Sequence, residues 1–187
     1  MTAGRWETPL GNVDIASDLA EKIVEGSPYL KSDTLAHSEE HSIEVLLPFL
    51  QFVNRKITIV PIVIARAGGG IYKKIAQDIV KAIRSLEKGD DVSIIASSDM
   101  THYESHESAQ KKDRYAIEAI IGLDTDSLLE RVEDWNITMC GVAPVCILLE
   151  VAKSLGAREA ALVKYQTSGE AAGDYRSVVG YAGMRIS

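Results

Sequence analysis

One stretch of the sequence limits the fold more than any other. Residues 92–96 (VSIIA) form an apolar run rich in β-branched side chains; the polar residues Ser98 and Asp99 follow, and His102 comes three residues after Asp99. Such a run is typical of a buried strand. In open α/β sheets, ligands bind beyond the carboxyl ends of the strands, so the pattern predicts Asp99 and His102 at a chemical site. The alternative is that Ser98 or Asp99 only turns the chain and His102 lies on the surface.

Other patterns predict an α/β fold. Strands are expected at residues 57–64 (ITIVPIVI), 160–166 and 178–186, in addition to residues 92–96. Helical spacing of apolar residues predicts helices over residues 14–25, 41–53, 71–86, 107–122, 124–132 and 142–155. Pro48 is expected to kink or shorten the second of these helices. Alternating strands and helices indicate one layered domain over residues 1–187, with a mostly parallel or mixed central sheet flanked by helices.

Composition excludes several classes of partner. The net charge is -7 and the sequence contains no cluster of Lys and Arg, which argues against binding to nucleic acid. No stretch approaches the roughly 20 apolar residues that span a bilayer, and the N-terminus does not resemble a signal peptide. The sequence therefore predicts a cytoplasmic protein without a membrane partner.

The two cysteines have different predicted environments. Cys140 immediately precedes Gly141 and a strongly apolar helix, so it lies beside a helix N-terminus, where an anionic thiolate is favoured as a metal ligand or nucleophile. The alternative for Cys140 is a small apolar side chain that fills space. Cys146 falls on the apolar face of the helix and is predicted to be core. The spacing matches neither a CxxC motif nor a disulfide framework.

Four short motifs occur in order along the chain. They are EHSIEVLLPFLQ at 40–51, SSDMTHY at 97–103, TMCG at 138–141 and YAG at 181–183. Together they resemble the Memo-like family, whose members are similar to the class III extradiol dioxygenases, a group of non-haem iron enzymes. The resemblance extends from Trp6 onward and implies the α/β fold of those dioxygenases.

The resemblance also implies roles for single residues. Cys140 would be one ligand of a site for iron(II) or another divalent metal. His102 would be the acid/base histidine, a suitable task for an imidazole because its pKa is close to neutral pH. Asp99 would orient groups or form hydrogen bonds within the same pocket.

Three further residues are predicted to line that pocket. These are Ser98, beside Asp99, and the pair Glu40 and His41. A capping or buried-polar role is the alternative for Glu40 and His41. His106 is expected to face solvent at the start of a helix and to tolerate alanine.

The chain departs from the family pattern at its N-terminal side. The family's Pro-His-Ala-Gly motif and its second Ser-His or Asn-His motif, each giving one metal-site histidine, do not occur between Met1 and Ser187. We therefore expect a truncated member of the family that binds metal weakly or not at all. An uncovered sheet edge or apolar face is expected to lead to self-association or to a protein partner.

Three functions remain open at this point. One is a Memo-like protein of uncharacterised activity; another is a metal-dependent redox or dioxygenase-related enzyme acting on a small molecule. The third is a non-catalytic protein-interaction module. A radical-SAM protein is a partner implied by the resemblance alone.

Overall fold

In the computed structural model, which describes residues 1–89 and 91–187, six strands form two separate three-stranded sheets. Each sheet belongs to one of two compact units. The first unit comprises residues 1–65 and 77–93, and the second comprises residues 66–76 and 94–187. The helices pack beside these sheets, so the predicted α/β class is confirmed.

The first unit begins with a hairpin. Strand β1 (Arg5–Thr8) pairs antiparallel with β2 (Gly11–Ile15), and β2 pairs parallel with the short strand β3 (Thr58–Ile59). This sheet is therefore mixed. Helix α1 (Ser17–Gly26) follows β2, and α2 (Leu47–Val53) follows a 3-10 turn at Glu44–Leu46. Helix α3 (Gly69–Ser85) has residues 77–85 in this unit and 69–76 in the second.

The second unit is built around an antiparallel sheet in the order β4-β6-β5. The strands are β4 (His102–Glu104), β5 (Ala160–Thr167) and β6 (Val178–Ile186), and the helices are α4 (His106–Ile121), α5 (Thr125–Asp134), α6 (Val142–Leu155) and the short α7 (Ser168–Ala172). Helix α4 packs on both β5 and β6. The two long strands and the helices α4, α5 and α6 lie where their sequence patterns predict them.

Local capping explains where these helices begin and end. The side chain of Ser105 accepts a hydrogen bond from the Ser108 amide at the start of α4, and Asp124 does the same for Ser127 in α5. Gly156 ends α6 with φ 106°, a left-handed conformation that glycine adopts without steric cost. These signals act within a few residues, so they are visible in the sequence.

One predicted strand is absent, and another is much shorter than predicted. Residues 92–96 form no ladder, and Ile95 is 53% exposed. The run at residues 57–64 forms a strand only at Thr58–Ile59. A β-branched apolar run favours extended backbone, but a strand also requires a neighbour that supplies the hydrogen-bond ladder.

The prediction for Pro48 was correct in one of its two alternatives: the helix predicted over residues 41–53 is shortened to Leu47–Val53 and is not interrupted by the proline. Pro48 lies in the first turn of α2, where the missing N–H would have no partner in the helix, so the proline starts the helix instead of kinking it. Residue Asp14, predicted to cap α1, lies in β2. Among the described helices, none is long and apolar enough to cross a membrane.

Candidate functional site

Two loops of the second unit are joined by hydrogen bonds at the candidate site. The hydroxyl of Ser98 accepts the Gly141 amide N–H at 2.9 Å and donates to the carbonyl of Asp99 at 2.7 Å. The Asp99 amide N–H points to Cys140 Sγ, 3.2 Å away. Ser98 therefore holds the residue before α6 against the residues that precede β4, and it places Cys140 beside Asp99.

Thr138 contacts both the main chain and the ring of His102. The His102 amide donates to Thr138 Oγ1 at 2.7 Å, and Nδ1 of its ring lies 2.8 Å from the Thr138 carbonyl oxygen. Because a carbonyl can only accept, Nδ1 carries the proton in this contact. The other nitrogen, Nε2, lies 3.4 Å from Asp99 Oδ2. In a neutral imidazole, Nε2 then presents a lone pair to the carboxylate.

Asp99, His102 and Cys140 form one cluster of donor atoms. One ligand atom from each residue lies within 4.8 Å of the other two. His102 is mostly buried, whereas Cys140 is exposed. The lone pairs of the Asp99 carboxylate and the His102 imidazole face each other and repel. A cation or a shared proton between them would stabilise this arrangement, and the Cys140 thiol lies close enough to take part.

The donor set fits a divalent transition metal. Ligands placed tetrahedrally at about 2.0–2.3 Å from a metal lie about 3.3–3.8 Å from one another. The 3.4 Å between His102 Nε2 and Asp99 Oδ2 is within that range. An imidazole, a carboxylate and a thiolate are ligand types used by zinc and iron, while the backbone hydrogen bond on Nδ1 is the usual support for a metal-binding histidine.

Tyr181 is a neighbour of the cluster that the sequence analysis did not assign to the site. Partial burial, followed by the negative charge of Asp99, raises the pKa of Tyr181. The phenol therefore keeps its proton at neutral pH and can donate a hydrogen bond. The sequence feature that could have assigned Tyr181 to the site is its position in the YAG motif at 181–183.

The segment that carries His102 has an unusual backbone. Tyr103 has φ 59°, and the pairing of β4 with β6 is irregular between His102 and Glu104. A bulge next to a site is a common way to redirect a side chain. Sequence alone gave no sign of it, since tyrosine is not a residue that favours positive φ.

The two cysteines differ in exposure, and Cys146 is core as predicted. Cys146 is fully buried within α6, and burial, followed by the charges of Glu150 and Asp126, raises its pKa to about 12. Cys146 is therefore an inert core thiol at neutral pH. Cys140 is the exposed thiol.

Glu40 and His41 lie in the first unit and make local contacts there. Glu40 accepts hydrogen bonds from the amides of Ser42 and Ile43, and its carboxylate also contacts the Ser42 hydroxyl. Burial raises the pKa of Glu40, but these hydrogen bonds outweigh it and hold that pKa below its usual range. His41 is exposed and lies 3.6 Å from Glu44. These contacts match the capping alternative; pocket lining remains a prediction for both residues.

His106 does not face solvent as predicted. It is half-buried: Nδ1 lies 2.8 Å from Thr167 Oγ1, and its ring packs edge-on against Tyr175. The amide of His106 also donates to the Tyr175 carbonyl. Because His106 ties α4 to the loop before β6, it is not a neutral control for His102.

The fold and the site together define a class: α/β proteins in which a carboxylate, an imidazole and a thiol meet in one cluster. The family model described as Memo-like protein matches residues 1–185. Similar relatives are MEMO1 family proteins of Methanopyrus kandleri, 44% identical over 185 residues, and Desulfurococcus amylolyticus, 43% identical over 184 residues. Another, from Aquifex aeolicus, is 43% identical over 180 residues. This chain belongs to the Memo-like family.

These alignments cover most of this chain and less of its relatives. They include 98%, 98% and 96% of this chain, and 65%, 64% and 66% of the three relatives in the same order. The chain thus spans about 65% of the length of the relatives. Family membership is established over nearly all of the chain, while the activity of a whole family protein comes to it only as a proposal.

Proposed function

We propose that Asp99, His102 and Cys140 bind one divalent transition metal and that this site acts on a small-molecule substrate. The observation that supports the proposal is the orientation of His102. Its Nδ1–H is donated to the Thr138 carbonyl, and Nε2 is directed to Asp99 Oδ2 at 3.4 Å. An imidazole held in this way offers its lone pair to a cation without further rearrangement.

Affinity should be modest. The cluster offers three protein donors, of which Cys140 is exposed, and four-ligand structural sites hold metal more tightly. Solvent access at Cys140 leaves room for a substrate or water beside the metal. We expect one equivalent to bind at saturation and less than one to remain after gel filtration.

The proposed activity is metal-dependent redox or dioxygenase-related chemistry, in line with the family resemblance. A bound iron or similar ion would supply Lewis-acid and redox chemistry at the site. Asp99 and Tyr181 would orient the substrate through hydrogen bonds, Tyr181 as a donor. The proton-transfer role predicted for His102 uses the same Nε2 as metal binding, so one nitrogen cannot perform both at once. We assign it to the metal.

Cobalt(II) titration tests this proposal, because thiolate coordination produces a charge-transfer absorption. We expect saturation at one equivalent in the native chain and loss of the band in Cys140→Ala. His102→Ala should weaken binding, whereas Asp126→Ala, which removes an exposed carboxylate paired with Lys73, should leave it unchanged. Full-affinity binding by His102→Ala would assign His102 to proton transfer instead. No saturable binding to the native chain would refute the proposed metal site.

A protein-interaction function is the second candidate, and one surface favours it. Val45, Phe49, Phe52 and Val53 recur at i, i+4, i+7 and i+8, which places them on one face of the 3-10 turn and α2. Phe49 and Phe52 are 74% and 86% exposed. Together those two rings present about 300 Å² of apolar surface, compared with about 800 Å² per partner in a standard interface.

The charges at the two ends of this surface favour a second copy as its partner. Glu44 stands at the start of the surface, and Arg55 and Lys56 follow its end. Two copies packed antiparallel about a two-fold axis would bring each Glu44 near the basic end of the other helix. Light scattering should show a dimer that dissociates in Phe49→Glu/Phe52→Glu. Val163→Glu, at an exposed apolar position of β5, is the control. A native monomer at all concentrations would exclude this dimer.

A further inference from the structure

Asp113 is a carboxylate buried in the second unit that the proposed metal site does not use. It lies on α4 and has no exposed surface. Its Oδ1 accepts the amide N–H of Thr101 at 2.9 Å, and its Oδ2 accepts the hydroxyl of Tyr165 at 2.7 Å. Among the ion pairs of the described residues none includes Asp113, and Lys112, its neighbour on α4, pairs with Glu104.

A buried carboxylate without a counter-ion is costly unless hydrogen bonds satisfy it. Tyr165 is suited to that task. Burial, followed by the hydrogen bond to Asp113, raises the pKa of Tyr165, so the phenol stays protonated and remains a donor. The hydroxyl on β5 fixes one oxygen of Asp113, which leaves the other oxygen directed at Thr101.

The backbone that Asp113 holds is the segment between the two proposed ligands. Thr101 stands between Asp99 and His102 and is fully buried. Two backbone hydrogen bonds also tie this segment to Gly180 of β6: the Met100 amide donates to the Gly180 carbonyl, and the Gly180 amide donates to the Thr101 carbonyl, each at 2.9 Å. A Cβ at position 180 would lie 1.9 Å from Asp113 Oδ2. The absence of a side chain at Gly180 thus makes room for the carboxylate.

We propose that Asp113, locked by Tyr165, is the positioning residue of the Asp99–His102 pair. By holding the Thr101 amide it fixes the backbone from which both donor side chains project, and it thereby sets the affinity of the site for a cation. The inference rests on the proposed metal site for its effect on affinity. Its effect on the orientation of His102 is independent of any metal.

The test uses the full chain and cobalt(II) as the probe. Asp113→Ala removes the acceptor and should weaken cobalt binding by about 10–100-fold, the usual effect of losing a group that orients a ligand. Asp113→Asn keeps the shape: its carbonyl oxygen can accept the Thr101 amide, while its NH₂ can donate to the Tyr165 oxygen. If the position of this side chain matters and its charge does not, the cobalt(II) affinity of Asp113→Asn should be within about threefold of that of the native chain. Tyr165→Phe should lie between these variants.

A control separates positioning from loss of stability. Thr125→Val removes a buried hydroxyl that donates to Glu150 and lies outside the candidate site. It should destabilise the chain yet bind cobalt with native affinity. Asp113→Ala with native affinity would overturn the proposal, as would a loss in Asp113→Asn as large as in Asp113→Ala. If Asp113→Ala does not fold, native affinity in Tyr165→Phe overturns it.

A metal-free measurement distinguishes failure of this inference from failure of the proposed function. Hydrogen exchange of the Thr101 amide should be slow in the native chain and faster in Tyr165→Phe. The ring resonances of His102 should shift in the same variant. If the native chain binds no cobalt but these changes occur, the metal site fails and the positioning role of Asp113 stands. Unchanged exchange and unchanged resonances refute the positioning role itself.

Discussion

Replacing Gly141 with alanine tests whether the Ser98–Gly141 contact holds the site together. A Cβ at position 141 would lie 2.4 Å from Ser98 Cβ, 2.6 Å from the Ser97 carbonyl oxygen and 2.7 Å from Ser98 Oγ. Real Cβ atoms do not approach other atoms below 3.0 Å. The Ser98 side chain can rotate away, but the Ser97 carbonyl belongs to the main chain. The two segments must therefore separate.

The expected cost follows from these contacts. Overpacking of this kind costs about 1–3 kcal/mol, and loss of the Gly141 amide hydrogen bond to Ser98 costs about 0.5–1.5 kcal/mol more. Against this, replacing glycine with alanine at a compatible position gains about 0.4–1 kcal/mol by restricting the unfolded chain. The backbone of Gly141, with φ -95°, is compatible with alanine. We expect a net loss of about 0.5–4 kcal/mol in the free energy of unfolding.

Gly122→Ala is the matched control. Gly122 ends α4 with φ -71°, and the nearest atoms to its added Cβ are backbone oxygens at 3.5 Å. This variant should be as stable as the native chain or more stable by about 0.4–1 kcal/mol. Urea unfolding followed by circular dichroism measures both variants. If Gly141→Ala matched Gly122→Ala in stability, the clash argument and the role of Gly141 as a spacer would both be wrong.

Three further predictions concern buried and exposed polar groups. Thr101 has a buried hydroxyl without a partner among the described residues, so Thr101→Val should leave the free energy of unfolding unchanged or raise it. Thr125→Val removes a hydrogen bond to the Glu150 carboxylate and should lower the free energy of unfolding by about 1.5–3 kcal/mol. Chemical unfolding of the two variants compares these values. Cys140 should react with a disulfide reagent in the native chain and Cys146 only after unfolding; two fast thiols would contradict the assigned burial. His106→Ala should lower the free energy of unfolding by about 1 kcal/mol, because it removes the contact with Thr167. Thermal melts measure this, and an unchanged melting temperature would support the prediction that His106 faces solvent.

The sequence predicted those elements whose signals are local. Caps at Ser105, Asp124 and Gly156 mark helix ends, and the apolar period fixes the buried faces of α4, α5 and α6. These features depend on contacts within a few residues, so they do not require knowledge of the partner elements. Strands β5 and β6 were also located, because each is an extended, mainly apolar segment next to a polar loop that contains glycine.

The strand predicted at residues 92–96 shows where this reasoning ends. Its composition is as favourable as that of β5, yet it forms no ladder, while β5 pairs with β6 along its length. The difference is the presence of a neighbour, which a single segment does not encode. The same reason explains why residues 57–64 form a strand over two residues only.

At the candidate site, the sequence by itself determined the residue types and their order: Asp99 three residues before His102, and Cys140 before a helix. The tertiary structure alone decided that the Thr138 carbonyl fixes Nδ1 of His102 and that Ser98 holds Cys140 beside Asp99. It also decided that Asp113 accepts the Thr101 amide, in the segment between Asp99 and His102. The physical reason is range. Propensity and capping act along a few residues of chain, whereas a donor cluster is defined by side chains that meet across dozens of residues, and their meeting depends on how the whole unit packs.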